Sequence, residues 1–244
     1  MISVIIITKN EEKHIARCIN SVCFADEVIV LDSGSTDSTV DIASKLGAKV
    51  MIRADWEGYG IQKQRALDAC TQQWVLSLDA DEFIANAQEA QKIQAAVLND
   101  SIDAYRLEIL MMFDKQVLKY AGKDTKHIRL FQREKARFNS NIVHENVCLN
   151  PNAKIKSLHA SIIHESYSSW EEALHKLNLY SSLSANMHPQ KQSSISKAIL
   201  ASIWMFIKNY VIKAWFIDGK TGFTLAVYQA QGSWYRHLKI ATRF

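Results

Sequence analysis

Asp79 and Asp81 stand one residue apart, directly after the apolar run Trp74-Val75-Leu76-Ser77-Leu78. Two carboxylates at that spacing do not both enter a core. An unpaired buried carboxylate is costly, or gives up its charge. The pair belongs where a strand ends and the chain turns. A hard divalent cation takes oxygen ligands, and Mg²⁺ keeps waters and substrate phosphates beside one or two carboxylates. The spacing therefore fits a metal, Mg²⁺ or Mn²⁺, that joins the protein to a diphosphate and neutralises it as it leaves, a Lewis-acid role. A surface turn with helix-capping acids is the plain alternative, and placement at a strand end favours the metal.

Two more polar clusters have the same character. Asp32-Ser33-Gly34-Ser35-Thr36-Asp37 is rich in hydroxyls and carboxylates. Turn and cap chemistry accounts for Ser35, Thr36 and Asp37. Asp32 remains as a carboxylate able to accept from a base N–H or a ribose hydroxyl. Thr8, Asn10 and Glu11 form the other cluster. Lys63 and Arg65 precede the aspartate pair and offer cations to a diphosphate, arginine in bidentate fashion. A solvated helix face explains those two equally well.

These clusters need elements to hold them. Ser3–Thr8, Glu27–Leu31, Lys49–Ile52 and Trp74–Leu78 read as buried strands. Glu11–Val22, Thr39–Leu46 and Ile61–Cys70 read as helices between them, with Gly47 closing the second. Strand–helix alternation of this kind makes an α/β fold with a parallel sheet and helices on both faces. Ligands then bind beyond the carboxyl ends of the strands. Thr8–Glu11, Asp32–Asp37 and Asp79–Glu82 all fall at such ends. Further on, Ala104–Phe113, Lys126–Gln132, Ile142–Leu149 and Ile155–His164 read as strands of a mixed sheet. Trp170–Met187 and the strongly apolar Ile195–Ile217 read as helices.

The chain has 244 residues, 48% hydrophobic and 22% charged, with two prolines and eight glycines. That is the balance of a globular protein with a real core. Cys18, Cys23, Cys70 and Cys148 form no CxxC pair and read as reduced thiols of a reducing compartment. Ile2–Ile7 is too short and lacks the basic flank of a signal peptide, so the expected location is the cytoplasm. Residues 1–100 carry nine basic against fifteen acidic side chains, and residues 101–244 carry twenty against ten. A basic C-terminal part on an acidic front points to a polyanion: nucleic acid, an anionic membrane surface or a phosphorylated glycolipid. Neither GxGxxG nor GxxxxGK[ST] occurs, which disfavours a dinucleotide site and a P-loop. No GxSxG elbow or zinc-type spacing occurs either.

Three segments taken together carry a resemblance: Ser3-Val4-Ile5-Ile6-Ile7-Thr8-Lys9-Asn10-Glu11, Val30–Thr39, and Leu78-Asp79-Ala80-Asp81-Glu82. They resemble the motifs of family 2 inverting glycosyltransferases with the GT-A fold. Arg129-Leu130-Phe131, then Val143-His144-Glu145, and the later Phe216-Ile217-Asp218-Gly219-Lys220-x-Gly222-Phe223 are similar to one subgroup of that family. It includes the glucosyltransferases that add a β-linked glucose to the inner-core heptose of lipopolysaccharide. Many members carry two adjacent aspartates at the second strand end. Here Ser33 follows Asp32, which leaves uracil recognition to Asp32.

The resemblance implies a GT-A fold: a Rossmann-like parallel sheet extended by a mixed sheet, with a C-terminal helical extension. Residues 1–168 form the catalytic domain, 1–100 for the nucleotide-sugar and 101–168 for the acceptor, and 169–244 form the extension. It implies transfer of a hexose, glucose from UDP-glucose, to a lipopolysaccharide core or other glycolipid acceptor. Inversion in one displacement needs a general base at the acceptor hydroxyl. By resemblance that base is Glu145. His144 orients it, binds phosphate or ligates the metal, and Arg129 contacts acceptor or phosphate. Asp81 is the direct metal ligand, Asp79 meets the metal or the ribose, and His164 supplies a late metal ligand. Thr8, Asn10, Glu11, Asp32, Lys63, Arg65 and Asp79 hold the nucleotide-sugar.

The segment Ile195–Ile217 mixes Trp204, Phe206, Tyr210, Trp215 and Phe216 with Lys197, Lys208 and Lys213. Its longest uncharged stretch, Ala198–Ile207, is short of the roughly 20 residues a spanning helix needs. A helix lying on anionic lipid, or packed on the catalytic domain, fits better. The enzyme is thus expected at the cytoplasmic face of the inner membrane, as a peripheral protein. A nucleic-acid-binding protein would use the tail but leave the three acidic clusters idle. A nucleotidyltransferase would share the sheet and carboxylates, but needs a Gly-rich phosphate loop that this chain lacks.

Overall fold

The first half of the chain alternates as its apolar runs predict. β1 (Ile2–Thr8), α1 (Ile15–Ser21), β2 (Glu27–Asp32), α2 (Thr39–Lys45), β3 (Lys49–Ile52), α3 (Tyr59–Asp68) and β4 (Trp74–Asp79) follow one another in the computed structural model. It describes every residue except Lys126, Val143, His144, Ser168, His188, Pro189, Lys191, Arg243 and Phe244. The four strands run parallel in the order β3-β2-β1-β4.

β1 shows why the sheet is covered on both faces. Ile2, Val4 and Ile6 pack with Ile15, Cys18 and Ile19 of α1, whereas Ile5 packs with Ala66 and Leu67 of α3. Successive side chains of a strand point to opposite faces, so an unbroken apolar run needs a helix on each side. Each fully buried Ile, Leu or Val contributes roughly 1.5–3 kcal/mol.

The second half turns the sheet mixed. β5 (Glu82–Ile84), α4 (Ala87–Ala96), β6 (Ala104–Phe113), β7 (Gln116–Val117), β8 (Ile128–Gln132), β9 (Ala136–Phe138), β10 (Val147–Leu149) and β11 (Ile155–Tyr167) follow in turn. β8 enters antiparallel beside β4, pairing Leu130 with Leu76, and the order continues β8-β6-β11-β5. The Asp79–Asp81 turn thus sits where parallel pairing gives way to antiparallel. β9 and β10 form a separate antiparallel hairpin.

The chain divides into two compact units, Met1–Ile109 with Asp124–His164, and Leu110–Lys123 with Glu165–Phe244. In the second, α5 (Trp170–Asn186) is capped by the Ser169 hydroxyl, which accepts from the Glu172 N–H. α6 (Ile195–Ile207) and the long α7 (Gly219–Ala241) complete the unit. Its core gathers Phe113, Leu118, Ala121, Trp215, Leu225 and Ala226. Buried Asp218 accepts from three backbone N–H groups, those of Lys119, Tyr120 and Ala121, at 2.7–2.9 Å. A Cβ on Gly222 would lie 2.0 Å from the Trp215 carbonyl oxygen. The Phe216–Phe223 segment is therefore the joint of this unit.

Three elements depart from the sequence reading. The helix expected over Ile195–Ile217 ends at Ile207, passes through a π turn at Lys208–Ile212, and breaks at left-handed Ala214 (φ 57°). The break lets Trp215 enter the core and Asp218 reach its three donors, which a continued helix forbids. The strand expected over Ile142–Leu149 begins only at Val147. The chain ahead of it is used elsewhere, as its contacts with α3 show. Helix α1 starts at Ile15 because Glu11–His14 form a turn instead, with the His14 and Ile15 N–H groups both donating to the Glu11 carbonyl.

Candidate active site

Strand register brings the three polar clusters to one edge. Thr8 pairs with Asp32, and its neighbour Ile7 pairs with Asp79. Asn10 adopts the left-handed conformation (φ 56°), which asparagine tolerates. Its N–H donates to Ser35 Oγ and its Oδ1 accepts from the Thr36 N–H, both at 2.8 Å. The Glu11 N–H donates to Thr39 Oγ1. The first two clusters are thus stitched together. Asp32, almost fully buried, accepts from the N–H groups of Gly34 and Ser35 and from the Ser35 hydroxyl. It shapes its own loop. The Thr8 hydroxyl is buried with no hydrogen-bond partner among the described residues.

The third cluster is a chain of alternating charges. Lys63 Nζ lies 2.8 Å from Asp79 Oδ1 and 2.6 Å from Glu145 Oε1. Arg129 Nη2 lies 3.3 Å from Asp79 Oδ2 and 2.6 Å from Glu82 Oε1. Glu82 Oε2 accepts from the Asp79 N–H at 2.9 Å. Lys63 is only 3% exposed and Glu82 1%, so these charges are compensated inside the fold. Burial alone would push the Asp79 carboxyl up, but Lys63 and Arg129 overcome it and hold it well below the usual carboxylate range. Burial, followed by the repulsion of Asp79, raises Glu82 against the pull of Arg129. Burial works against the Lys63 ammonium too, yet Asp79 keeps it above its ordinary value.

Asp81 turns the other way. β11 pairs antiparallel with β5, His164 opposite Glu82. That register sets His164 Nε2 3.0 Å from Asp81 Oδ2. Burial lowers the imidazole pKa, but the Asp81 carboxylate more than restores it and the net shift is upward. The two side chains are hydrogen-bonded to each other here, and with that proton displaced the Asp81 oxygen and the His164 nitrogen could both serve as ligands of a divalent cation. Asp79 is differently placed, with both its oxygens engaged by Lys63 and Arg129. No cluster of three or more His, Cys, Asp or Glu side chains able to hold a metal exists among the described residues.

Glu145 is delivered by the loop between β9 and β10. α3 anchors that loop: the N–H groups of Tyr59 and Gly60 donate to the carbonyls of Ile142 and Asn141, and Gln64 Oε1 accepts from the Phe138 N–H. Contact is close because α3 begins with glycines. Gly58 has φ 120°, and a Cβ on Gly60 would sit 1.9 Å from the Asn139 carbonyl oxygen. Arg65 does not join the cluster; its guanidinium is held by Asp55 and Glu57. His144 lies outside the described residues. Sequence reasoning gave no role to Glu82, Ser77, Arg106 or His127. Glu82 stands in the Asp79–Glu82 motif itself, and an acid so near the pair was the available signal. The others come from separate strands and loops.

A mixed sheet with acidic residues at the carboxyl end of its last parallel strand defines a GT-A-type enzyme. The chain belongs to the glycosyl transferase family 2, whose model matches residues 3–152. It is 38% identical to an uncharacterized glycosyltransferase of Rickettsia typhi (strain ATCC VR-144 / Wilmington), over 98% of this chain and 86% of that one. It is 29% identical to the lipopolysaccharide core biosynthesis glycosyltransferase LpsC of Rhizobium meliloti (strain 1021), over 97% of this chain and 93% of the relative. Among solved structures it resembles S. aureus TarS 1-349, crystallised with UDP-GlcNAc, with a TM-score of 0.52. Identity there is 17%, covering 92% of this chain and 79% of that one. The protein is a glycosyltransferase with the GT-A fold.

Proposed function

We propose that the chain transfers a hexose, glucose from UDP-glucose, with inversion onto a lipopolysaccharide inner-core acceptor at a membrane surface. The observation that carries the reading is the division of the strand-end acids. Asp81 faces His164, whereas Asp79 and Glu145 share Lys63. Asp81 and His164 are the residues that would hold a divalent cation beside the donor diphosphate. Such an ion supplies Lewis-acid stabilisation of the leaving diphosphate. Glu145 accepts the proton of the attacking acceptor hydroxyl. Lys63 orients Glu145 and ties it to Asp79. Thr8, Asn10, Glu11 and Asp32 border the same strand edge, where a nucleoside would lie. The name of the Rhizobium relative supports a lipopolysaccharide acceptor. Exposed Leu200, Ile203 and Trp204 on α6, with Lys197 near its start and Lys208 just past its end, support docking on anionic lipid.

The test is thermal unfolding with UDP-sugars, with and without Mn²⁺. A ligand at 100 times its Kd adds about 2.7 kcal/mol. UDP-glucose with Mn²⁺ is expected to raise the melting temperature, and Asp81→Ala to remove the metal-dependent part. Glu145→Gln is expected to keep the shift and lose turnover on lipopolysaccharide lacking its core glucose. If no UDP-sugar shifts unfolding with metal present, the reading fails.

A further inference from the structure

A cavity of about 300 Å³ in the first unit is left over by the charge chain just described. Its titratable or hydroxyl-bearing lining comes from Lys63, Ser77, Arg106, His127, Arg129 and Glu145. Four of these six are basic side chains and one is an acid. Lys63 and much of Arg129 are committed to the carboxylates around them. Arg106 is half-buried on β6 and makes no ion pair with any described residue. Lys63, Arg129 and His127 each face a carboxylate, so Arg106 is the basic side chain of the wall that no described carboxylate offsets.

A second observation points to what the cavity holds. Ser77 Oγ and Arg129 Nε are both buried and have no hydrogen-bond partner among the described residues. Ser77 is 1% exposed and Arg129 9%. Leaving such a donor unpaired is costly, and more so beside a charge. Two orphaned donors in one wall with an unpaired arginine describe a receptor for oxygen. An apolar group would leave both unpaired, and a cation would be repelled. The volume lies at the small end of ligand pockets, room for a sugar-sized group.

We propose that this cavity receives an anionic substituent, phosphate or carboxylate, carried by the acceptor sugar, with Arg106 and Arg129 Nε as its donors. Assignment to the acceptor rests on the transfer reading above. Glu145, which accepts the acceptor's proton, lines the cavity, whereas Asp81 and His164 do not. The anion would anchor the acceptor so that its hydroxyl meets Glu145. Arginine suits this task through its rigid fork of donors. His127, beside Asp124 at 3.3 Å, adds a further donor at the wall.

Calorimetric titration of the full chain separates the possibilities. The probes are mannose 6-phosphate, glucuronate and neutral mannose, each added to protein saturated with UDP and Mn²⁺. One or both sugar anions are expected to bind, and mannose at least tenfold more weakly. The arm that binds tells phosphate from carboxylate. Arg106→Gln is expected to weaken the anion at least tenfold, about 1.4 kcal/mol, and to leave UDP affinity within twofold. His127→Gln, a change at a half-exposed ring, should weaken the anion in the same direction and serves if the first variant does not fold. Equal binding of neutral and anionic sugars, or full affinity in the variants, overturns the proposal. So does displacement of the sugar anion by UDP with Mn²⁺, since the cavity would then belong to the donor phosphates. If UDP never binds but the sugar anion still binds through Arg106, the transfer reading falls and the cavity assignment stands.

Discussion

Lys63 is the residue on which the charge chain turns. It is buried, and it meets one carboxylate from β4 and another from the loop before β10. Breaking a buried ion pair from one side costs about 3–5 kcal/mol, because the partners stay behind uncompensated. Asp79 and Glu145 keep partial exposure, which places Lys63→Met at the lower end, about 3 kcal/mol. Denaturant unfolding at pH 7 measures it, and a change below about 1 kcal/mol would mean that the bridge is idle. The same substitution has a pH signature. Asp79 titrates well below its ordinary value in the folded protein. Its contribution is therefore present above about pH 4 and is lost as the pH falls further. Without Lys63 the folded carboxyl returns toward its unfolded value. The variant is expected to lose less stability than the parent between pH 5 and pH 3, to an extent set by what Arg129 still supplies. An unchanged acid limb would show that Lys63 does not govern Asp79.

At the scale of elements, the decisive contact is α3 against the loop that carries Glu145. Gly60→Ala puts a methyl where the Asn139 carbonyl stands, so that loop must move. Turnover is expected to fall at least tenfold while UDP affinity, measured by titration with Mn²⁺, stays within twofold. Equal losses in both would make the glycine a folding requirement alone. This contact also marks how far the sequence could be read. β1, β2 and β4 were legible because a continuous apolar run this short, bounded by turn residues, fits a doubly covered strand, and their polar ends then face one edge. Helix α7 was not legible. Gly219, Gly222 and Gly232 dilute its pattern, and it is helical because Leu225, Ala226 and Tyr228 find partners in its own unit. The strand expected at Ile142–Leu149 failed for the same kind of reason, since backbone groups promised to a ladder are taken by α3. Asp79, Asp81 and His164 could be singled out one at a time. That Lys63 joins Asp79 to Glu145, and that Arg106 and Ser77 meet one cavity, depends on contacts between segments far apart in sequence.

At the scale of the whole molecule, charge and apolar surface divide along the chain. Residues 186–244 hold eight basic side chains and a single acid, Asp218. That acid is spent on three backbone donors. Helix α6 buries Ala198 and turns Leu200, Ile203, Trp204 and Ile207 outward, all at least 40% exposed. Those four recur at helical spacing, so they form one face opposite the packed one. Lys197 and Lys208 flank it. With the π turn, Ile195–Ile212 is long and apolar enough to be a candidate span by composition, although two lysines interrupt it. A helix with one face packed, one face apolar and lysines between them suits the plane of an interface better than its normal. Each lysine near an anionic surface adds about 1 kcal/mol, and salt screens it. The protein is therefore expected to sediment with vesicles containing anionic lipid, more weakly with neutral vesicles, and less as salt rises. Trp204→Glu, which places a charge in the centre of the apolar face, should abolish sedimentation while UDP binding with Mn²⁺ is retained. If the parent chain ignores anionic vesicles at low salt and instead forms concentration-dependent dimers that the same substitution dissolves, the face is covered by a second copy, and the lipid assignment is wrong.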